Sequence, residues 1–198
     1  MKKNNLKTIV NFLYEVGTAK NIVRSHRQVL KNSNDTIAAH SFRTAIIGLI
    51  LAELENANED KVLKMCLLHD LAELRTGDAN FINKYYRVED EEKAIQDQWK
   101  DIVGGKKVIS LLKEYNKRKS KEAIVAKDAD ILDQIFLQKE YLSQRPYDFK
   151  KWHTYHEKRL KTKSALQIAR LVFKTESMDW VYDFAGLLKQ NKKKKSKK

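Results

Sequence analysis

Residues 36–54 read TIAAHSFRTAIIGLILAEL, and this stretch predicts one long helix. Thr36 supplies an N-cap hydroxyl at its start. Phe42, Ala45, Ile46, Leu49 and Ile50 then recur three or four residues apart as one apolar stripe, while Ile47 and Leu51 add apolar surface on another side,. Such a segment is expected to be buried nearly all round, which makes His40 an interior imidazole. One proline and six glycines in 198 residues leave few of the tight turns that a β-rich fold requires, so the expected class is all-α,. With 42% apolar and 33% charged residues, the length suits one domain around a single core,.

Downstream, Asn58 is placed to cap the next helix, with Glu59 and Asp60 in its first turn and Val62, Leu63, Cys66 and Leu67 as its apolar residues,. That helix leads into His69-Asp70-Leu71-Ala72-Glu73-Leu74-Arg75-Thr76-Gly77-Asp78, which reads as one helical segment ending at a glycine. Glu73 lies four residues after His69 and three after Asp70, so a continuous helix puts all three on one side. An imidazole and a carboxylate are suitable ligands for a divalent cation, and a further carboxylate beside them can steer water. The combination points to metal-dependent phosphoester hydrolysis.

Elsewhere the pattern predicts a first helix near Leu6 to Val16, then the basic segment Arg24-Ser25-His26-Arg27-Gln28 and a polar turn at Asn32 to Asp35. Residues 89–103 read as a charged helix closed by Gly104-Gly105, and 106–117 as another with Val108, Leu111, Leu112 and Tyr115 inward,. Ser120 opens a segment running to about Ser143 that holds Asp128 and Asp130 among apolar residues, and Pro146 marks its end,. Two last helices, about Tyr147 to Leu160 and Ser164 to Lys189, bring Trp152 and Trp180 to pack on the rest.

A bundle could therefore gather His40, His69, Asp70 and either Asp128 or Asp130. Singly, each has an ordinary reading as a hydrogen-bonded core histidine, a cap or an ion pair. Jointly, burying several ionisable groups is costly unless a cation joins them. Periodicity puts Asp128 on the stripe of Ile124, Ile131, Leu132 and Ile135, so it competes with Asp130. His153 and His156, spaced i+3 in a basic aromatic stretch, read as surface packing. His26, flanked by arginines, favours its neutral form and either lines a phosphate pocket or faces solvent. Arg43, one turn after His40, pairs with an acid or reaches substrate.

The net charge is +14, but seven lysines fall within residues 189–198, leaving 14 minus 7, or +7, for residues 1–188. The sequence thus divides into a domain over 1–188 and a Lys-rich tail over 189–198 that is expected to be disordered, with nucleic-acid contact as its minor reading. Cys66 is the one cysteine, so no internal disulfide can form, and a packed thiol in a reducing cytoplasm is expected,. The longest apolar run, Ala45 to Ala52, is short of the roughly 20 residues of a membrane span, so no membrane anchor is expected,.

Over about residues 20–142 the sequence resembles the HD-domain phosphohydrolases, and among them the 5′-deoxynucleotidases. The resemblance rests on Thr36 to Arg43 around His40, on His69-Asp70 through Glu73 to Thr76-Gly77-Asp78, on Lys84-Tyr85, on Glu114-Tyr115 and on Lys127-Asp128-Ala129-Asp130. It implies an all-helical fold, a homodimer, and one divalent metal ion (Co, Mn, Mg, Fe, Ni or Zn) held by His40, His69, Asp70 and Asp130. It further implies Glu73 as catalytic carboxylate, Asp78 beside it for the leaving group or water, and Arg24 and Arg27 on the phosphate of a nucleotide. Two departures stand out: Ala39 replaces the acid that relatives carry before the first histidine, and the tryptophan that follows their upstream arginine is absent. Other phosphoesters, such as nucleoside triphosphates or cyclic nucleotides, are the alternative substrates, and a non-catalytic nucleic-acid-binding protein is the alternative class.

Overall fold

The computed structural model describes residues 3–30, 33–88, 90–142 and 146–186. In chain order its helices are α1 Lys3–Gly17, α2 Ile37–Leu54, α3 Glu59–Leu68, α4 Glu73–Thr76, α5 Phe81–Tyr86, α6 Glu91–Trp99, α7 Gly105–Lys117, α8 Lys121–Leu142, α9 Pro146–Glu157 and α10 Lys163–Lys174, with residues 179–186 helical again. Among the described residues there is one isolated bridge, Val23 to Thr36, and no sheet, as the all-α reading requires.

The helix starts follow the capping chemistry of the sequence. Thr36 accepts from the Ala39 amide at 3.2 Å, Asn58 from Lys61 at 2.9 Å and Ser120 from Ala123 at 3.3 Å, each satisfying an amide that the first turn leaves without an intrahelical partner,. Asn80 does the same for Ile82 and Asn83, both at 3.0 Å, and so starts α5, a helix too short to leave a periodic signal,.

The core forms where α2, α3 and α8 meet, with α7 and α10 against its flanks. Leu51, Val62, Met65, Leu132 and Ile135 are fully buried, each such side chain contributing about 1.5–3 kcal/mol by leaving water,. Gly48 sets how closely α2 and α3 approach: a Cβ there would overlap the Cys66 sulfur and lie 3.2 Å from Val62 Cγ1,.

This close packing corrects the expectation that α2 is buried all round. The face turned inward carries Ile37, His40, Ser41, Thr44, Ala45, Gly48, Leu51 and Ala52, largely small or polar residues, whereas Phe42, Ile46, Leu49 and Ile50 are exposed. Small residues face the neighbours because backbones approach closely there. By length and composition α2 could cross a membrane, yet it lies against α3 and α8 and turns His40 and Thr44 inward.

Three element boundaries also differ from the sequence reading. The stretch from His69 to Thr76 is not one helix: α3 ends at Leu68, and bonds of the i to i+3 kind tighten the chain before α4, with Leu71 donating to Leu68 at 3.2 Å and Glu73 to Asp70 at 3.0 Å,. Gly104-Gly105 does not close the preceding helix, which stops at Trp99; Gly104 takes a left-handed φ of 78° and introduces α7,. The last long helix breaks after Lys174, where Thr175 turns extended, and Trp180 beyond it is exposed rather than packed. The Lys-rich tail lies outside the described residues.

Candidate metal centre and substrate cavity

Each imidazole near the centre is pinned through one nitrogen. His40, on the inner face of α2, meets Asp133 of α8 through Nδ1 at 2.6 Å, and His69, which caps α3, donates Nδ1–H to the Cys66 carbonyl at 2.9 Å. These bonds fix the tautomers and leave both Nε2 atoms facing inward, 3.2 Å apart,. Asp70 adds its oxygens at 3.3 Å from His40 Nε2 and 3.2 Å from His69 Nε2. Asp130 Oδ1 completes the group at 3.5 Å and 4.0 Å from the same two nitrogens.

Donor spacing and donor chemistry both fit a cation. Bonds of about 2.1 Å to a common centre put neighbouring donors about 3.0–3.4 Å apart, close to what the four side chains show. Two imidazoles and two carboxylates turn on one point, and with both imidazoles neutral their Nε2 lone pairs and the carboxylate oxygens make up a ligand set for a divalent ion,. The electrostatics agree. Burial and Arg24 press His40 down, but the hydrogen bonds it donates to the Asp133 and Asp70 carboxylates hold it up at about 9, so the metal-free site keeps a proton where it favours positive charge. Burial raises Asp70 and Asp130, yet His69, His40 and Arg24 beside the first, and Lys127 and His69 beside the second, keep both carboxyls below their usual range.

Asp128 takes a different job. Although only two residues from Asp130, it is buried under the start of α10, accepting from the Lys161 and Thr162 amides at 3.0 Å and 2.7 Å and from the Thr162 hydroxyl at 2.8 Å. The two aspartates project from different sides of α8, and the structure brings Asp130, not Asp128, to the histidines.

Glu73 opens α4 beside the cluster. It is 7% exposed, and its Oε2 has no hydrogen-bond partner among the described residues. Burial, with Asp70 and Asp78 nearby, pushes its carboxyl up to about 10,. Gly77, at φ 78°, reverses the chain so that Asp78 meets the Ser25 amide at 2.5 Å. Arg24 is held by pairing of residues 22–24 with 35–37, through its amide on the Asp35 carbonyl at 2.9 Å, and its guanidinium reaches Asp70 at 3.1 Å. Arg27 does not come in: its side chain is exposed and lies outside the cavity wall.

The cavity measures about 320 Å³, and its lining includes Asp70, Glu73, Arg24 and Asp130 together with residues of α5 and α9. His26 lines it, accepting from Arg24 Nε at 3.2 Å; burial and Arg24 hold its imidazole down at about 4, so of the two sequence readings the pocket is the one observed. Asp133 was missed by sequence reasoning. It joins His40 to Arg43, which also reaches Glu140 at 2.6 Å, and its signal was spacing: Asp133 follows Asp130 by three residues as Arg43 follows His40. His153 and His156 are buried rather than superficial. His153 meets the Ala169 carbonyl at 2.8 Å, while His156 lines the cavity.

The profile of the HD-domain family, described as HD domain, matches residues 16–171. The chain belongs to the HD-domain family. Among curated relatives, it is 32% identical over 122 residues to the 5′-deoxynucleotidase HDDC2 of Dictyostelium discoideum, covering 56% of this chain and 64% of that protein, slightly under two thirds of its length. The human 5′-deoxynucleotidase HDDC2 is 27% identical over 143 residues, or 68% of this chain and 69% of the relative. Among solved structures, a protein from Pyrococcus horikoshii OT3 superposes with a TM-score of 0.68 at 27% identity, covering 83% of this chain and 98% of the other.

Proposed function

We propose that this chain is a metal-dependent phosphohydrolase that removes phosphate from deoxynucleoside 5′-monophosphates. The observation that carries the reading is the meeting of His40, His69, Asp70 and Asp130 beside the buried, unpartnered Glu73, at a cavity sized for a small molecule,. The names of the curated relatives support the substrate class. When bound, a divalent ion supplies Lewis-acid stabilisation of the phosphoryl group and makes water more acidic. Manganese, cobalt, iron, nickel, zinc and magnesium all accept such a donor set, and re-addition one at a time ranks them.

The protein's own groups do the rest. Glu73 takes the proton of the attacking water once it is ionised; burial with Asp70 and Asp78 holds its carboxyl protonated in the metal-free site, and the positive charge of a bound cation would favour the carboxylate,. The Arg24 guanidinium, already anchored on Asp70, keeps further N–H donors for the phosphoryl oxygens,. Asp78, oriented by the Ser25 amide, faces the departing 5′ oxygen and water. The homodimer implied by the resemblance belongs to the same proposal, with the exposed Phe42, Ile46, Leu49 and Ile50 stripe of α2 as its contact; sedimentation velocity on a Phe42→Glu variant tests it,. The activity is tested by phosphate release from deoxynucleoside and ribonucleoside mono-, di- and triphosphates and from cyclic nucleotides, after chelation and metal re-addition. Release confined to deoxynucleoside monophosphates supports the reading; preference for triphosphates or cyclic nucleotides replaces the substrate class, and silence with every cation overturns it.

A further inference from the structure

Another part of the cavity lining has a different chemistry from the metal cluster. On α9, Trp152, Tyr155 and His156 fall at i, i+3 and i+4, Arg159 follows in the turn just past its end, and all four line the cavity,. The Trp152 and His156 rings stack, with centroids 6.0 Å apart and planes 13° apart; Tyr155 meets His156 edge-on at 5.1 Å, and the Arg159 guanidinium sits 5.5 Å over the Tyr155 ring. Phe81 and Ile82 of α5 line the same cavity, both largely exposed.

This wall is built for contact rather than proton transfer. Both ring nitrogens of His156 are engaged, Nε2 with the Gln138 amide at 3.1 Å and Nδ1 with Arg159 at 3.4 Å. Burial and the Arg159 charge also hold the imidazole down at about 4, so it is neutral at physiological pH. What the wall offers is a set of flat faces, two aromatic and one guanidinium, which bind any planar π-system by stacking and cation–π attraction.

We infer that α9 forms the nucleobase subsite: Tyr155, Trp152 and Arg159 stack on the base of a nucleotide whose phosphate lies at Asp70, Asp130 and Arg24, with Phe81 in the same lining. This rests on the nucleotide reading above and deepens it. Stacking tolerates every base because each presents a π-face, so the subsite selects for the presence of a base rather than its identity.

The test compares deoxyadenosine 5′-monophosphate with base-free 2-deoxyribose 5-phosphate as substrates of the manganese-loaded protein, and measures calorimetric binding of deoxyadenosine, which has no phosphate, to the metal-free protein. Tyr155→Ala, at an exposed position, is expected to raise KM for the nucleotide about tenfold, the loss of one base–aromatic stack,. It should leave kcat/KM for the sugar phosphate within about twofold of wild type and weaken deoxyadenosine binding in parallel, whereas Tyr155→Phe keeps both. Arg159→Ala should move the nucleotide in the same direction. Equal losses on both substrates, no change on either, or a loss in Arg159→Ala that appears only with diphosphates would overturn the subsite. If no phosphoester is hydrolysed but deoxyadenosine binds and Tyr155→Ala abolishes that binding, the subsite stands and the hydrolase reading falls.

Discussion

Two parts of one cavity lining, the metal cluster and the α9 wall, are held by different kinds of constraint. In the metal cluster every donor is held by a second group: His40 by Asp133, His69 by the Cys66 carbonyl, Asp70 by Arg24, and Asp130 by Lys127 at 2.5 Å. In the α9 wall, Tyr155 and Arg159 lean mainly on each other and on His156 at the protein surface. Ligation demands atoms placed within a few tenths of an ångström, whereas stacking asks only for a flat face at the right height. Substitutions should therefore act sharply in the first and gradually in the second.

The largest effect expected follows from removing a donor. His69→Ala should abolish metal-dependent phosphate release, and addition of excess metal should not restore it, because the remaining donors lose the lone pair that faces His40,. Glu73→Gln comes next. It keeps the shape of the buried side chain, so metal content measured by atomic emission should be unchanged while kcat falls about 10²-fold or more, the usual contribution of a positioned proton acceptor. Near-normal turnover in Glu73→Gln would remove it from the chemistry. Asp133→Asn should weaken metal affinity by about 10- to 100-fold, as loss of the partner that orients an imidazole does, with saturated kcat changed much less,.

Asp128→Ala separates neighbours. Because this carboxylate anchors the start of α10 and touches none of the cluster, the variant should lose about 1–3 kcal/mol of stability by thermal unfolding while metal affinity stays as in wild type,. The smallest effect is one of pH. A histidine held near 4 in the fold titrates near 6.5 once unfolded, so as pH falls from about 6.5 towards 4 the unfolded chain takes up the proton first and folding stability drops,. The melting temperature of wild type should therefore fall by more than that of His156→Gln across this window, provided both are measured metal-free.

Sequence was informative where local chemistry decides. Thr36, Asn58 and Ser120 marked helix starts because capping is a contact within four residues, and His40, His69 and Asp70 stood out because buried ionisable groups need a common partner. It misjudged what depends on neighbours. The strong apolar stripe of α2 was assigned to the core, yet tight packing at Gly48 put the small residues inside. The His69 to Thr76 segment kept helical spacing across a break, since tightened turns preserve the i to i+3 relation,. Periodicity alone favours Asp128 while the resemblance points to Asp130, and the start of α10 claims the first. His153 and His156 had been assigned to the surface because α9 alone does not reveal that α8 and α10 cover one of its sides. Arg27, three residues after Arg24, is exposed while Arg24 is buried: Arg24 is the extended residue that precedes the turn at Ser25–Gln28, so the two do not share the turn's i to i+3 alignment,.

The central claim is that four side chains from separate parts of the chain hold one divalent ion on which catalysis depends. Titrating manganese into chelated protein by calorimetry, with phosphate release from deoxyadenosine 5′-monophosphate followed at each point, tests it directly. The expected result is one ion per chain and activity rising in proportion to occupancy. Full activity in the chelated protein, or no saturable binding, would contradict it.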